Sequence, residues 1–363
     1  NNPMENKINH LRIRMLSEAT SVEGQGVGSA YLEQVSLVKE NKDVFTVLEK
    51  KDKGKADIYH VHTVNPKFYI RMNKHHVNVI YVHFLPTTLD GSIHLPKFAF
   101  NIFKKYVIAT YKKADEIVVV NPIFIKPLVE LGMKEENITY IPNYVSPTQF
   151  HPLSKEEKDK IRDKYNIDKD KFVTIGVGQV QTRKGVLDFV DVAKDNPDKM
   201  FVWAGGFSFG KLTDGYEQLK KVMDNPPSNV RFLGIIPRKQ MNEIFNMADL
   251  LFMPSYNELF PMSILEAAST KTPFLLRDLD LYKDILFNDY LVGNDVASFS
   301  NVIKKLATDS SFYKDAVDKS EKISSYYCKD NVSKLWREYY FRIYNKWAKC
   351  KKKKLIKPLK ENN

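Results

Sequence analysis

Short apolar runs rich in β-branched residues alternate with helix-periodic segments along the whole chain. Strands are predicted at 11–15, 44–47, 58–62, 77–82, 116–120 and 138–141 in the first half. The second half offers 172–177, 200–204, 230–233, 250–253 and 274–276. Such short β-branched runs separated by helices imply parallel sheets with βαβ crossovers. Between the halves, Pro142-Asn143-Tyr144 through Pro152-Leu153-Ser154 is rich in turn formers and reads as a linker. The pattern predicts an α/β protein of two doubly wound domains, 1–150 and 151–330, facing each other across a cleft, followed by a C-terminal segment, 331–363. Ligands of such sheets sit outside the carboxyl ends of the strands.

The densest candidate chemistry lies in Tyr256-Asn257-Glu258-Leu259-Phe260-Pro261-Met262-Ser263-Ile264-Leu265-Glu266-Ala267-Ala268. A strand-like run and a turn at Pro254-Ser255 precede it, and an apolar-periodic helix follows. Glu258 then falls on a loop at the helix N-terminus and Glu266 on the helix itself. Backbone N–H groups across 260–263 would point outward, and open amides at a helix start favour a diphosphate. Two carboxylates beside them can hold the hydroxyls of a sugar and of a ribose.

A second cluster, Gly176-Val177-Gly178-Gln179-Val180-Gln181-Thr182-Arg183-Lys184-Gly185, follows the first strand of the second half. A turn, then cations, then a helix suits a diphosphate clamp, since Lys and Arg neutralise phosphate oxygens and a departing nucleotide. The plain alternative is a solvated basic turn. In the first half, the glycine-rich Ser21 to Ala30 stretch, with Gly26 and Gly28, lets backbone approach a ligand closely or is simply a βα loop. His60 and His62 share one strand face and His83 ends the next strand. No carboxylate or cysteine cluster accompanies them, so no metal is expected.

Composition narrows the class. Apolar content of 43% and aromatic content of 12% describe a globular protein. No apolar run approaches the ~18–20 residues that span a bilayer. Asn1-Asn2-Pro3 ahead of Met4 reads as a vector remnant, and no secretory signal is expected. Two cysteines, Cys328 and Cys350, lack metal or redox spacing and suit a reducing cytosol. The net charge of +12 asks for an anionic partner. Residues 97–113 combine Phe and Tyr with five lysines and no acid, the pattern of a helix lying in a membrane interface. Lys346, Lys349 and Lys351-Lys352-Lys353-Lys354 with Trp347 form a second basic segment, expected to be free from Lys351 onward. Core packing with solvated lysines is the plain reading of the helix, and a soluble end that of the tail. No groove-reading or RNA-stacking module is present, so nucleic acid is not expected.

The Glu-x7-Glu pattern inside Glu258-Leu259-Phe260-Pro261 to Leu265-Glu266-Ala267 resembles the signature of the retaining GT-B glycosyltransferases (family 4-like, group 1). Residues 83–86, the 179–185 turn and Phe-Val-Trp-Ala-Gly at 201–205 look like the Gram-positive enzymes that glycosylate diacylglycerol. The resemblance implies two Rossmann-like domains, the first facing acceptor and membrane and the second binding a nucleotide sugar. It implies that the last helix crosses back to the first domain. Hexose transfer would run from a UDP-sugar, expected to be UDP-glucose, to a membrane lipid such as diacylglycerol, on the cytoplasmic face of the membrane. The nucleotide sugar is a co-substrate; no cofactor or metal is implied. By position, Glu258 would hold the sugar, Glu266 the ribose, and His83 would lie near the transferred sugar. Lys184, Arg183, Gln179, Gly26, Gly28, Phe260, Pro261 and Met262 would surround the diphosphate. Gln179 stands where the family has arginine. Two rivals are a soluble glycosyltransferase acting on protein, teichoic acid or polysaccharide, and a non-catalytic binding protein of the same fold.

Overall fold

A computed structural model of the chain describes residues 9–18, 26–83, 85, 96–353 and 355–356. The chain divides into two compact units, Asn1–Tyr144 with Lys329–Asn363, and Val145–Cys328. Each is built on one six-stranded parallel sheet.

The first unit contains β1 (Leu11–Leu16), α1 (Gly26–Lys39), β2 (Phe45–Leu48), β3 (Ile58–Val61), α2 (Pro66–Arg71), β4 (Val77–Val82), α3 (Lys97–Lys113), β5 (Glu116–Val119), α4 (Ile125–Glu130) and β6 (Ile138–Tyr140). Its strand order is β2-β1-β3-β4-β5-β6. Every residue of β4 and β5 is buried, as expected for strands covered on both faces. Asn78 in β4 and Glu116 in β5 are the polar exceptions, and Lys346 donates to Glu116 Oε1 at 2.7 Å.

The second unit contains α5 (Lys155–Lys164), β7 (Val173–Val177), α6 (Val186–Lys194), β8 (Met200–Ala204), α7 (Tyr216–Asp224), β9 (Val230–Phe232), α8 (Met241–Met247), β10 (Leu250–Met253), α9 (Met262–Ser269), β11 (Phe274–Arg277), α10 (Asp280–Ile285), β12 (Leu291–Gly293), α11 (Val296–Thr308) and α12 (Ser310–Tyr326). Its order is β12-β11-β10-β7-β8-β9. The predicted strands all form, with ends shifted by a residue at most. The twelfth, β12, is not foreseen: it has three residues, and Val292 between its two buried neighbours is exposed, too little apolar pattern to detect.

The last helix, α13 (Lys329–Cys350), belongs to the first unit. It buries Val332, Trp336, Tyr339, Tyr340, Phe341 and Ile343 against Leu11, Phe45, Ile58 and Val79. Burying aromatics of this size contributes on the order of 2 kcal/mol each. Two expectations for the basic tail need correction. Lys346 is engaged by Glu116 and by Asn137 Oδ1 at 2.6 Å, because the helix docks on the sheet. Past Lys351, Ile356 is held rather than free: its N donates to Asn345 Oδ1 at 2.7 Å, and Asn345 Nδ2 donates to Ile356 O at 2.6 Å. Lys354, Lys357 and Lys360 lie outside the described residues.

Candidate active site

Strand order reverses between β7 and β10, so the loops that leave their carboxyl ends diverge and open a crevice there. The loop after β7 carries Gln179, Arg183 and Lys184. The loop after β10 carries Glu258, Phe260 and Pro261, and runs into α9 with Met262 and Glu266. Two residues that are distant in sequence thus arrive side by side: Lys184 Nζ donates to Glu258 Oε1 at 2.8 Å, with side chains only 13% and 6% exposed. The loops are stitched together where Tyr256 N donates to Arg183 O at 2.8 Å. Arg183 itself is exposed, with Nη1 3.4 Å from Asn257 Oδ1. Gln179 Oε1 accepts from Gln181 Nε2 at 2.7 Å.

Backbone conformation makes this crowding feasible. Gly185 closes the turn Thr182–Lys184 with φ +74°, a left-handed geometry, and any Cβ there would collide with the Pro254 carbonyl oxygen. Gly205 (φ +148°) leaves the same clearance for Gly178 O, to which the Trp203 indole donates at 2.9 Å.

α9 begins after Pro261 with no side-chain cap. Pro261 has no N–H, so the amides expected across 260–263 reduce to those of Phe260, Met262 and Ser263. The amides of Met262 and Ser263 have no preceding helical carbonyl and stay available to an anion. One turn further on, Glu266 is buried, and Arg238 Nη2 donates to its Oε2 at 3.0 Å. Burial pushes the Glu266 carboxyl above its usual range, and Arg238 opposes the shift. Arg238 lies in the turn after β9 and is 65% exposed. Sequence reading did not single it out, because no local pattern links it to a carboxylate on α9.

In the first unit, strand order reverses between β1 and β3. Of the glycine-rich stretch, Ser21–Gln25 lie outside the described residues. Gly26 and Gly28 stand in the first turn of α1. His60 and His62 stack at 4.3 Å between centroids, and Tyr81 meets His83 edge-on at 4.4 Å. His60 Nδ1 lies 2.6 Å from Tyr340 Oη. Burial pushes His60 down to about 3 and His83 to about 4, and holds His62 well below its ordinary value. All three rings are therefore neutral near pH 7. Phe84 and Pro86, beside His83, lie outside the described residues. A cavity of about 580 Å³ lies at the carboxyl end of β1, lined by apolar Met15, Leu16 and Phe68 and by cations and carboxylates alike, among them Lys50, Arg71 and Glu49.

α3 spans Lys97–Lys113, and its exposed side carries Phe98 (71% exposed) and Ile102 (64%) with Lys97, Lys105, Lys112 and Lys113. Among the described residues, no helix is long and apolar enough to cross a membrane.

Two doubly wound halves, the second with a lysine–carboxylate pair and an open helix start at its switch point, define a GT-B glycosyltransferase. The chain belongs to the group 1 glycosyltransferases: the model for "Glycosyl transferases group 1" matches residues 157–323. It is 43% identical over 334 residues to alpha-galactosylglucosyldiacylglycerol synthase of Streptococcus pneumoniae, covering 91% of this chain and 89% of that one. It is 25% identical to the processive diacylglycerol alpha-glucosyltransferase of Acholeplasma laidlawii, over 82% and 88% of the two chains. Among solved structures, Anabaena HepE with UDP-glucose matches with a TM-score of 0.62 at 13% identity, over 91% of this chain and 99% of that one. Sucrose-phosphate synthase of Thermosynechococcus elongatus matches with 0.64 at 13% identity, over 92% and 99%.

Proposed function

We propose that this enzyme transfers a hexose, with retention of configuration, from a UDP-sugar to a hydroxyl of a diacylglycerol-based lipid. The observation that carries the reading is the Lys184–Glu258 pair set beside the open first turn of α9. Lys184, Arg183 and the amides of Met262 and Ser263 offset charge building on the departing diphosphate, which is electrostatic stabilisation of a leaving group. Glu258 holds sugar hydroxyls, Glu266 accepts from the ribose hydroxyls, and His83 offers a neutral imidazole to the transferred sugar. The bond from the anomeric carbon to the diphosphate breaks, one to the acceptor oxygen forms on the same face, and the acceptor's hydroxyl proton leaves to the departing diphosphate. UDP-sugars of this kind carry an α linkage, so the "alpha" products in the relatives' names agree with retention.

The lipid acceptor rests on those two names and on the surface of α3. Phe98 and Ile102 can enter the interface of a bilayer while the lysines meet anionic head groups, each worth on the order of 1 kcal/mol. The protein is accordingly assigned to the cytoplasmic membrane surface as a peripheral enzyme. The acceptor is assigned to the first unit, where the cavity beside β1 joins apolar side chains to a lining of mixed charge. Sequence reading expects glucose as the transferred sugar. The name of the pneumococcal relative, with galactosyl on glucosyldiacylglycerol, brings in galactose and a sugar-bearing acceptor as well.

The test crosses UDP-glucose and UDP-galactose with diacylglycerol and glucosyldiacylglycerol in vesicles with and without anionic lipid, reading UDP and glycolipid. One pair should turn over, and Lys184→Ala should lower kcat by about 10²–10³-fold. UDP release without glycolipid in all four combinations would transfer the reading to an acceptor in solution.

A further inference from the structure

Arg277, the last residue of β11, is a hub that no part of the diphosphate clamp requires. Its Nε donates to Pro254 O and its Nη1 to Asn294 O, both at 2.9 Å, joining the segments that follow β10 and β12. Its Nη2 donates to Asp188 Oδ2 on α6. The same carboxylate oxygen accepts from Tyr256 Oη. The guanidinium lies over the Tyr256 ring, 3.9 Å from its centroid. Arg277 is 11% exposed and Asp188 22%. Burial at a site where water competes little makes each of these charge-assisted bonds stronger than a surface one.

Two of these contacts grip the short stretch that leads to Glu258 directly, and Asp188 reaches it through Tyr256. Pro254 is held by its carbonyl and Tyr256 by its ring and hydroxyl, two residues before the carboxylate. The planar fork of arginine suits this task, because three donors in fixed geometry bind three acceptors on different elements; lysine offers a single point charge. We propose that Arg277, with Asp188 and Tyr256, is a positioning assembly that sets Glu258 against the transferred sugar. The inference rests on the assignment of Glu258 to the sugar. It adds that the precision of that contact comes from β11 and α6.

The diphosphate side has closures of its own, beside the Tyr256 N to Arg183 O and Lys184–Glu258 bonds that join the two loops. The turn bearing Lys184 closes on itself through Lys184 N to Gln181 O (3.1 Å) and Gly185 N to Thr182 O (3.0 Å). Loss of the Arg277 grip should therefore spare UDP and harm the sugar. In Arg277→Lys and Arg277→Met, inhibition by UDP should stay within about threefold of wild type, while kcat with the preferred UDP-hexose falls on the order of 30- to 100-fold, as small misplacements do. Asp188→Asn, which keeps the shape but weakens the Arg277 contact, should show the same split more mildly. Glu258→Gln is run beside them. If Glu258→Gln loses turnover and the Arg277 and Asp188 variants do not, the positioning role is overturned and the site assignment stands. If Glu258→Gln retains turnover, the site assignment itself fails. A parallel loss of UDP binding and thermal stability in the Arg277 variants would make the residue a general support of the fold and also overturn the proposal.

Discussion

Replacing Glu266 by Gln separates a carboxylate kept for a ligand from one kept for the fold, because the two roles predict opposite signs. The substitution preserves shape and removes a charge. Glu266 is 7% exposed, and burial raises its pKa, so ionisation at neutral pH costs the folded state. Stability due to the protonated form is full below the ordinary carboxylate value and is lost as pH rises through the raised one. Removing the charge should therefore help at about pH 7.5, and the advantage should shrink as pH falls toward 5. Against this stands the bond from Arg238. That side chain is 65% exposed, and a pair with such a partner is worth about 0–1 kcal/mol. The expected result is a Tm equal to or above wild type at neutral pH. For the ligand the sign reverses. Two ribose hydroxyls donating to a carboxylate contribute on the order of 1.5–3 kcal/mol, so UDP affinity should fall about 10- to 150-fold. Differential scanning calorimetry and titration calorimetry with UDP read the two quantities. A Tm lowered by several degrees with UDP affinity intact would refute the reasoning and make the Glu266–Arg238 pair structural.

Other consequences are as direct. Gly185→Ala forces a left-handed backbone and a collision with Pro254 O, so it should cost about 2 kcal/mol or more and lower the Tm of its unit by about 4–8 °C. His60, His62 and His83 are buried neutral with depressed pKa values. Their stabilisation is full above the ordinary imidazole value of 6.5 and is lost as pH falls below it, at up to about 4 kcal/mol per pH unit for the three. Urea titrations between about pH 7 and 5 should show that slope, His62→Phe should remove about a third of it, and a flat profile would contradict the burial argument. Phe98→Ser with Ile102→Ser should weaken co-sedimentation with anionic vesicles about tenfold or more while leaving UDP affinity unchanged, since both side chains lie on the exposed side of α3.

Much of this molecule is legible along the chain because local pattern encodes burial. Leu250–Met253 is apolar throughout and Val77–Val82 is so but for Asn78, and both are strands covered on each face. Glu258 before Pro261 and Glu266 after it reveal a loop carboxylate and a helix carboxylate at one helix start. The return of the last helix to the first half is what the family resemblance implied, and its aromatic residues are those it buries. Other features leave no local trace. β12 is too short and too exposed in its middle to register. Lys346 reads as a membrane lysine until α13 docks and presents it to Glu116. Arg238 and Arg277 sit in ordinary loop and strand-end contexts, and their roles exist only through partners on other elements. The sequence by itself determined the αβ alternation, the carboxylate pair and the basic turn, since each depends on neighbours within a few residues. Only the tertiary structure decided that Lys184 meets Glu258, Arg238 meets Glu266 and Arg277 grips the loop between β10 and α9. The first follows from β10 lying next to β7 and the last from β11 lying next to β10, a strand order made by the packing of whole elements and recorded in no single stretch of chain.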